Sequence, residues 1–455
     1  MPKRTTRRTF IRHAAVAGAA LPVIAPPLAR AASPNSKLNL AGIGVGGKGW
    51  GDINSTATQQ NVVAFCDVDK GAMSRGGGKP RKAKGGYPVA AEQWPKARRY
   101  QDWRKLLDEG RDIDAVTVST PDHMHAPISM TAMSLGKHVY CQKPLTHTVY
   151  EARQMQTLAA ESKVVTQMGN QHHSGLGYRM LVQIIRDGGI GKVREAHAWS
   201  NRPIWPQGMG RPDGMGTPPD TFDWDRWLGV APERPYKRGV YCPFVWRGWL
   251  DFGTGAQGDM ACHIMDPVFW SLNLTAPRLI WSESPTPNNQ SYPKWSTIRY
   301  EFPGTPLTKD STIPVTWYDG GRKPDAALAE LPKGLSLPSN GSLFIGEKAN
   351  LLCPHGGAPR LYAKGVAVKY DYPKLDKNNH YMQWTMACLG EGKTSSPFSY
   401  AGRLTEMVLL GNIAMRLPQA KLQWNSADLR FTNAPEANQY ITKEYRKGWD
   451  IPGLT

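Results

Sequence analysis

The stretch Leu38-Asn39-Leu40-Ala41-Gly42-Ile43-Gly44-Val45-Gly46-Gly47-Lys48-Gly49 decides the fold. Its first six residues are largely apolar and read as a short strand, and the next six spell G-x-G-x-x-G. Glycine is needed where a turn is tight and where backbone must approach a pyrophosphate. The helix that follows such a turn offers free N–H groups to the anion. Alone the motif is weak, because glycine-rich turns arise without function. Its context strengthens it. Asn61-Val62-Val63-Ala64-Phe65-Cys66-Asp67 reads as a second strand ending in an acid, 18 residues past Gly49, about where a carboxylate binds the adenosine ribose hydroxyls. A carboxylate there repels a 2′-phosphate, so the expected cofactor is NAD rather than NADP.

Working outward, helical and strand patterns alternate. Asp102-Trp103-Arg104-Lys105-Leu106-Leu107 has helical spacing. Ile113-Asp114-Ala115-Val116-Thr117-Val118-Ser119 is a strand that runs into Thr120-Pro121-Asp122-His123-Met124-His125. His138-Val139-Tyr140-Cys141 is another, running into Gln142-Lys143-Pro144-Leu145. The alternation predicts a doubly wound parallel sheet, an α/β dinucleotide-binding domain over 33–165. Ligands of such sheets lie at the carboxyl ends of the strands. Gly44, Gly46, Gly47, Gly49 and Asp67 are therefore expected to bind the cofactor, together with Ser119, Thr120, Pro121, His123, His125, Gln142 and Lys143 of the two later loops. Residues 166–455 form a second domain in this reading. There Lys192-Val193-Arg194-Glu195-Ala196-His197-Ala198-Trp199 and Thr297-Ile298-Arg299-Tyr300-Glu301-Phe302 alternate like half-buried strands, and 398–417 returns to helical spacing with Leu404, Met407, Leu410 and Ile413 near one face.

The chain has 455 residues, which suits two or three domains, and 40% hydrophobic residues, which excludes a disordered or collagenous class. Its formal charge of +19 invites a nucleic-acid reading, but the charges are local. Residues 1–32 carry six basic groups and no acid, and Thr6-Arg7-Arg8-Thr9-Phe10-Ile11-Arg12 resembles a twin-arginine export signal. An Ala-rich stretch over 14–20 and the small residues of Ala29-Arg30-Ala31 complete the pattern of a cleaved leader. The apolar run is too short for a spanning helix and meets Pro22, Pro26 and Pro27. Removal of this leader leaves +13, and residues 70–99 hold nine basic groups against Glu92, so only +5 remains for the rest. The expectation is export to the periplasm with no membrane anchor and no nucleic-acid partner. Six scattered cysteines with no C-x-x-C pair read as buried thiols rather than disulfides or zinc ligands.

The glycine motif, the acid-ended strand, Thr-Pro-Asp-His-x-His and Lys143-Pro144 together resemble the Gfo/Idh/MocA family, that of glucose–fructose oxidoreductase and inositol dehydrogenase. Gly255-Ala256-Gln257-Gly258-Asp259-Met260-Ala261-Cys262-His263 resembles the family's Gly-rich run ending in Asp-x-x-x-His. The resemblance implies an α+β second domain built on a large, mostly antiparallel open sheet, whose free face makes a homodimer or homotetramer contact. It implies oxidation of a sugar hydroxyl, with Lys143, Asp259 and His263 matching the family's catalytic positions. Hydride leaves a carbon while the hydroxyl proton is removed, which requires a base near neutral pKa and a group that stabilises alkoxide character. Asp259 and His263 are four apart, so on a helix they share a face. His263 suits the base, Asp259 can orient it or hold a hydroxyl, and Lys143 can polarise the reacting oxygen. Gln142 departs from the family's Glu at this position; an amide still hydrogen-bonds a diol.

For the substrate, six tryptophans between 199 and 249 (Trp199, Trp205, Trp224, Trp227, Trp246 and Trp249) suggest rings for a sugar to stack on. Arg247 and the polar run Asn170-Gln171-His172-His173 can bind hydroxyls. No metal is expected, because His123, His125, Asp259 and His263 match no ligand spacing. Two activities compete: a dehydrogenase of a sugar or glycoside, and a glycoside hydrolase that oxidises C3 transiently, eliminates the leaving group, adds water and reduces the ketone again. Export favours the second, since a tightly held, recycled NAD needs no outside supply.

Overall fold

The computed structural model describes residues 37–71 and 85–455; the expected leader and the middle of the basic insert lie outside the described residues. The first sheet comprises β1 (Asn39–Ile43), β2 (Asn61–Cys66), β3 (Arg98–Tyr100), β4 (Ala115–Val118), β5 (His138–Cys141) and β6 (Thr166–Met168). The strands run parallel in the order β3-β2-β1-β4-β5-β6. The central β4 is buried at every position, the pattern of a strand covered on both faces. Helix starts carry local signals: Asp102 accepts from the Arg104 N–H, and Thr148 with Glu151 closes a capping box before the helix Val149–Ser162. The order reverses between β1 and β4, which opens a crevice at their carboxyl ends. Thr166 pairs with Val139, so the parallel sheet runs through Met168, past the boundary expected at 165.

The second sheet has ten strands: β7 (Val193–Trp199), β8 (Leu279–Glu283), β9 (Thr297–Pro303), β10 (Thr312–Tyr318), β11 (Gly341–Gly346), β12 (Asn350–Pro354), β13 (Arg360–Ala363), β14 (Val366–Ala367), β15 (Leu422–Asn425) and β16 (Arg430–Phe431). Every pairing is antiparallel except β7 with β10. Its inner face presents Ala196, Ala198, Ile298, Tyr300, Val315, Trp317 and Phe344 to the main core. Part of the outer face is covered by the chain itself, where Ala329 and Leu337 pack with Trp199, Leu343 and Ile345. The helix Phe398–Ala414 is buried nearly all round, not along one stripe. It packs on Val149–Ser162 of the first domain and on Gly255–Ile264 of the second, and so acts as a strut between them.

Candidate active site

The glycine motif is built as its sequence demands. Gly44 has φ 77°, and a Cβ there would lie 2.7 Å from the Ser119 carbonyl oxygen. A Cβ on Gly49 would lie 2.0 Å from the Gly44 carbonyl oxygen, so the helix Lys48–Thr56 can approach β1 this closely only with glycine. No side chain caps that helix. Asp67 accepts from the Val45 and Asp69 N–H groups, both at 3.0 Å, so it braces the loop; burial raises its carboxyl to about 6 against those bonds. Ser119 donates to Asp52 at 2.8 Å. Asp52, fully buried, also pairs with Lys48, whose Nζ donates to the Tyr381 hydroxyl at 2.9 Å. This network was not anticipated; Lys48 of the motif and Asp52 four residues on were its only trace in the sequence.

Along the carboxyl ends of β4, β5 and β6 lies a row of buried polar atoms without hydrogen-bond partners. They are Thr117 Oγ1, Thr120 Oγ1, Gln142 Nε2, Gln171 Oε1 and both amide atoms of Asn170. Buried polar groups are rarely left unpaired. Such a row fits a polar ligand laid across these strands, as a nicotinamide dinucleotide is. Gln142 and Asn170 are thus well placed to hold one.

His123 and His125 are placed differently from expectation. The His123 ring lies among the carbonyls of Phe252, Trp227 and Leu228 at 3.1–3.3 Å, and burial lowers its pKa to about 3. His125 lies between Pro144 O at 2.8 Å and Thr120 O at 2.9 Å, and burial lowers it to about 4. A neutral imidazole donates from only one nitrogen, so one of those two contacts is the hydrogen bond. Both rings clasp backbone and leave neither nitrogen for a cofactor.

Of the three residues matched to the catalytic positions, Lys143 and Asp259 are in direct contact, and His263 lies one helical turn beyond Asp259. Lys143 Nζ donates to Asp259 Oδ1 at 2.7 Å and to the Asp259 carbonyl at 2.6 Å. Burial opposes the charge on Asp259, but Lys143, Arg247 and Arg202 outweigh it and hold the carboxyl at about 2. Arg247 Nε lies 3.3 Å from Oδ1, with its guanidinium over the Trp246 ring at 4.2 Å, and Arg202 Nε lies 3.9 Å from Oδ2. Asp259 and His263 share the helix Gly255–Ile264, one turn apart, yet no hydrogen bond joins them among the described residues. Asp259 therefore orients Lys143 rather than His263. The His263 ring packs against His172 and His355, with ring centroids 5.9 and 5.5 Å away; burial, then Lys143 and the two neighbouring rings, push it well below its ordinary pKa. Its Nδ1 is buried without a partner. His355, in the turn after β12, and Arg202, after β7, were missed because neither sits in a motif.

Other expectations need correction. His173 is not at the site: it bonds Asp266 at 2.9 Å and stacks on Trp270. The tryptophans build a core. Trp199, Trp205, Trp227, Trp246 and Trp249 are buried, and Trp224 stacks on Trp227 at 4.8 Å within a cluster that includes Tyr236, Tyr241 and Phe252. Trp246 and, farther off, Trp205 reach the site beneath the Arg247 guanidinium, at 4.2 and 5.9 Å. A cleft of about 660 Å³ between Trp103, Leu135 and Ile451 shares no residue with the site. No cluster suited to a metal ion occurs among the described residues.

The model described as oxidoreductase family, NAD-binding Rossmann fold, matches residues 38–170, and that described as oxidoreductase family, C-terminal alpha/beta domain, matches 206–334. Together they cover more than half of the chain, and the chain belongs to the Gfo/Idh/MocA oxidoreductase family. It is 26% identical over 165 residues to levoglucosan dehydrogenase of Pseudarthrobacter phenanthrenivorans, covering 36% of this chain and 34% of that one. It is 27% identical over 162 residues to glycosyl hydrolase family 109 protein 1 of Shewanella sp. strain ANA-3, covering 34% and 33%. The match thus spans about a third of the length of these curated relatives. The WlbA dehydrogenase of Bordetella pertussis, solved with NADH and UDP-GlcNAcA, superposes with a TM-score of 0.57 over 86% of this chain and 99% of that one. At 13% identity that likeness speaks to the fold alone.

Proposed function

We propose that the protein is an NAD-dependent oxidoreductase that oxidises a hydroxyl of a sugar or glycoside. The Lys143–Asp259 contact carries this reading: one residue comes from the end of β5, the other from the second domain, and they join at 2.7 Å beside the dinucleotide crevice. When bound, NAD accepts the hydride that leaves the carbinol carbon. His263, kept neutral by burial, takes the hydroxyl proton. The Lys143 ammonium donates to the same oxygen as negative charge develops, and ionised Asp259 fixes the ammonium's direction. Gln142 offers its unpaired amide N–H groups to a ribose diol. Asp67 supports NAD over NADP, since its carboxylate at the end of β2 would face a 2′-phosphate.

A second reading, the glycosidase with transient C3 oxidation, is favoured by His172 and His355. Two more imidazoles beside His263 give the extra proton acceptor and donor that elimination and water addition require. The family 109 relative bears a glycosidase name over the matched third. Incubating the protein with NAD and aryl glycosides separates the two. Net growth of the NADH absorbance supports the dehydrogenase. Sugar release without it, with solvent deuterium entering at C2, supports the hydrolase, and neither change overturns both. Export by the twin-arginine route fits either, because that route carries proteins folded around their cofactor. A homodimer or homotetramer would pair through the uncovered part of the outer sheet face around Trp281 and Arg299.

A further inference from the structure

Three permanent cations converge on one carboxylate at the site. Lys143 takes Asp259 Oδ1 at 2.7 Å, and Arg247 reaches the same atom less closely at 3.3 Å. Arg202 approaches Oδ2 only to 3.9 Å, beyond hydrogen-bond length. Asp122, within the field of Lys143 and Arg247, is buried, accepts from Thr254 Oγ1 at 2.6 Å and is raised to about 7 by that burial, while Asp266, which acts on His172, is taken up by His173 and the Tyr400 hydroxyl. Asp122 is therefore partly protonated near neutrality and offsets little. His172, His263 and His355 add no negative charge. A neutral sugar would leave this surplus uncompensated.

The unused donors point the same way. Arg247 places Nη1 on the Phe244 carbonyl at 3.2 Å, and Arg202 places Nη1 on Asn201 Oδ1 at 2.6 Å. Neither Nη2 forms a hydrogen bond among the described residues. The side chains of Arg202 and Arg247 are 26% and 20% exposed, against 12% for Lys143 and Asp259, so the guanidinium groups stand outside the buried pair. Two partly desolvated guanidiniums with free N–H groups suit a planar or tetrahedral oxyanion.

We infer that the sugar carries an anionic oxyacid group, a carboxylate or a sulfate ester, bound by Arg202 and Arg247. The inference rests on the sugar reading above and adds the substrate's charge to it.

The test is calorimetric titration of the full chain, saturated with NADH, with glucuronate, glucose 6-sulfate and glucose. Either acid should bind at least about 10-fold more tightly than glucose, as charged hydrogen bonds allow. The tighter of the two identifies a carboxylate or a sulfate site. Arg202→Gln should erase most of that preference and Arg202→Lys should restore part of it, with NADH affinity unchanged in both. Equal binding of acids and glucose overturns the charge inference alone. Binding of none of the three by protein that binds NADH overturns the sugar reading and this inference with it. A loss of NADH affinity in Arg202→Gln assigns the arginine to the cofactor's phosphates and also overturns the inference.

Discussion

Two groups of histidines in this molecule face opposite ways. His123 and His125 come from one motif, and their ring nitrogens point at backbone carbonyls. His172, His263 and His355 come from three distant segments, and their rings point at one another, with a buried Nδ1 on His263 left without a partner. Both groups are buried enough to be neutral at physiological pH. What separates them is the partner. A histidine held by main chain fixes where two loops meet, whereas one whose nitrogen lacks a partner remains free to exchange a proton.

The largest effect should come from the group that the second set surrounds. Lys143→Met removes the ammonium held by Asp259 and should lower turnover about 10³-fold. NADH affinity, followed by fluorescence titration, should change only a few-fold. A turnover loss below 10-fold would remove Lys143 from the chemistry and leave the His263 cluster without its electrophilic partner.

Next, one residue from each set is exchanged. His263→Gln should lower turnover about 10²-fold with little loss of thermal stability, because the ring satisfies no hydrogen bond that the fold needs. His125→Leu should do the reverse. Losing its contacts with Pro144 O and Thr120 O should destabilise the fold by about 2 kcal/mol in denaturant melts, with turnover per folded molecule within a few-fold of the parent. If His125→Leu proved the less active of the two, the distinction between clasp and base would collapse.

The first domain was the more legible in the sequence because its signals are local. A glycine that must lie at φ 77°, a strand ended by Asp67 and buried runs of β-branched residues are all set within a few positions. Lys143, Asp259 and His263 were legible only through the family's motifs, since nothing local brings residue 143 to residue 259. His355 and Arg202 reach the site by the register of the ten-stranded sheet, which no short window encodes. The tryptophans misled for a related reason. Ring-rich sequence looks alike whether the rings face a sugar or one another, and only packing, such as Trp224 on Trp227, decides. His123 and His125 misled because a motif reports position along the chain and not which way a nitrogen points.

The smallest effect concerns what the two sets share. Burial lowers His123 to about 3, His125 to about 4, His355 to about 4 and His380 to about 3, against about 6.5 in the unfolded chain. Between those values the unfolded state binds more protons, so these groups make stability fall as pH drops from 6.5 toward 4. Burial also raises Asp67 to about 6, Asp122 to about 7 and Asp319 to about 6, where the folded state binds the extra proton. Their contribution has the opposite sign: it is present at low pH and lost as pH rises through 6 to 7. His147, His172 and His263 are lowered as well, so the histidines outweigh the three carboxylates and the parent's stability should fall as pH drops from 6.5 to 4.5. His125→Leu removes one histidine from this balance. Its deficit relative to the parent should therefore shrink as pH falls from 6.5 to 4.5, by about 1.4 kcal/mol per pH unit at most. Urea melts of both proteins at the two pH values measure the change, and a deficit that grew at low pH would mean that His125 is charged and donates to both carbonyls in the folded protein.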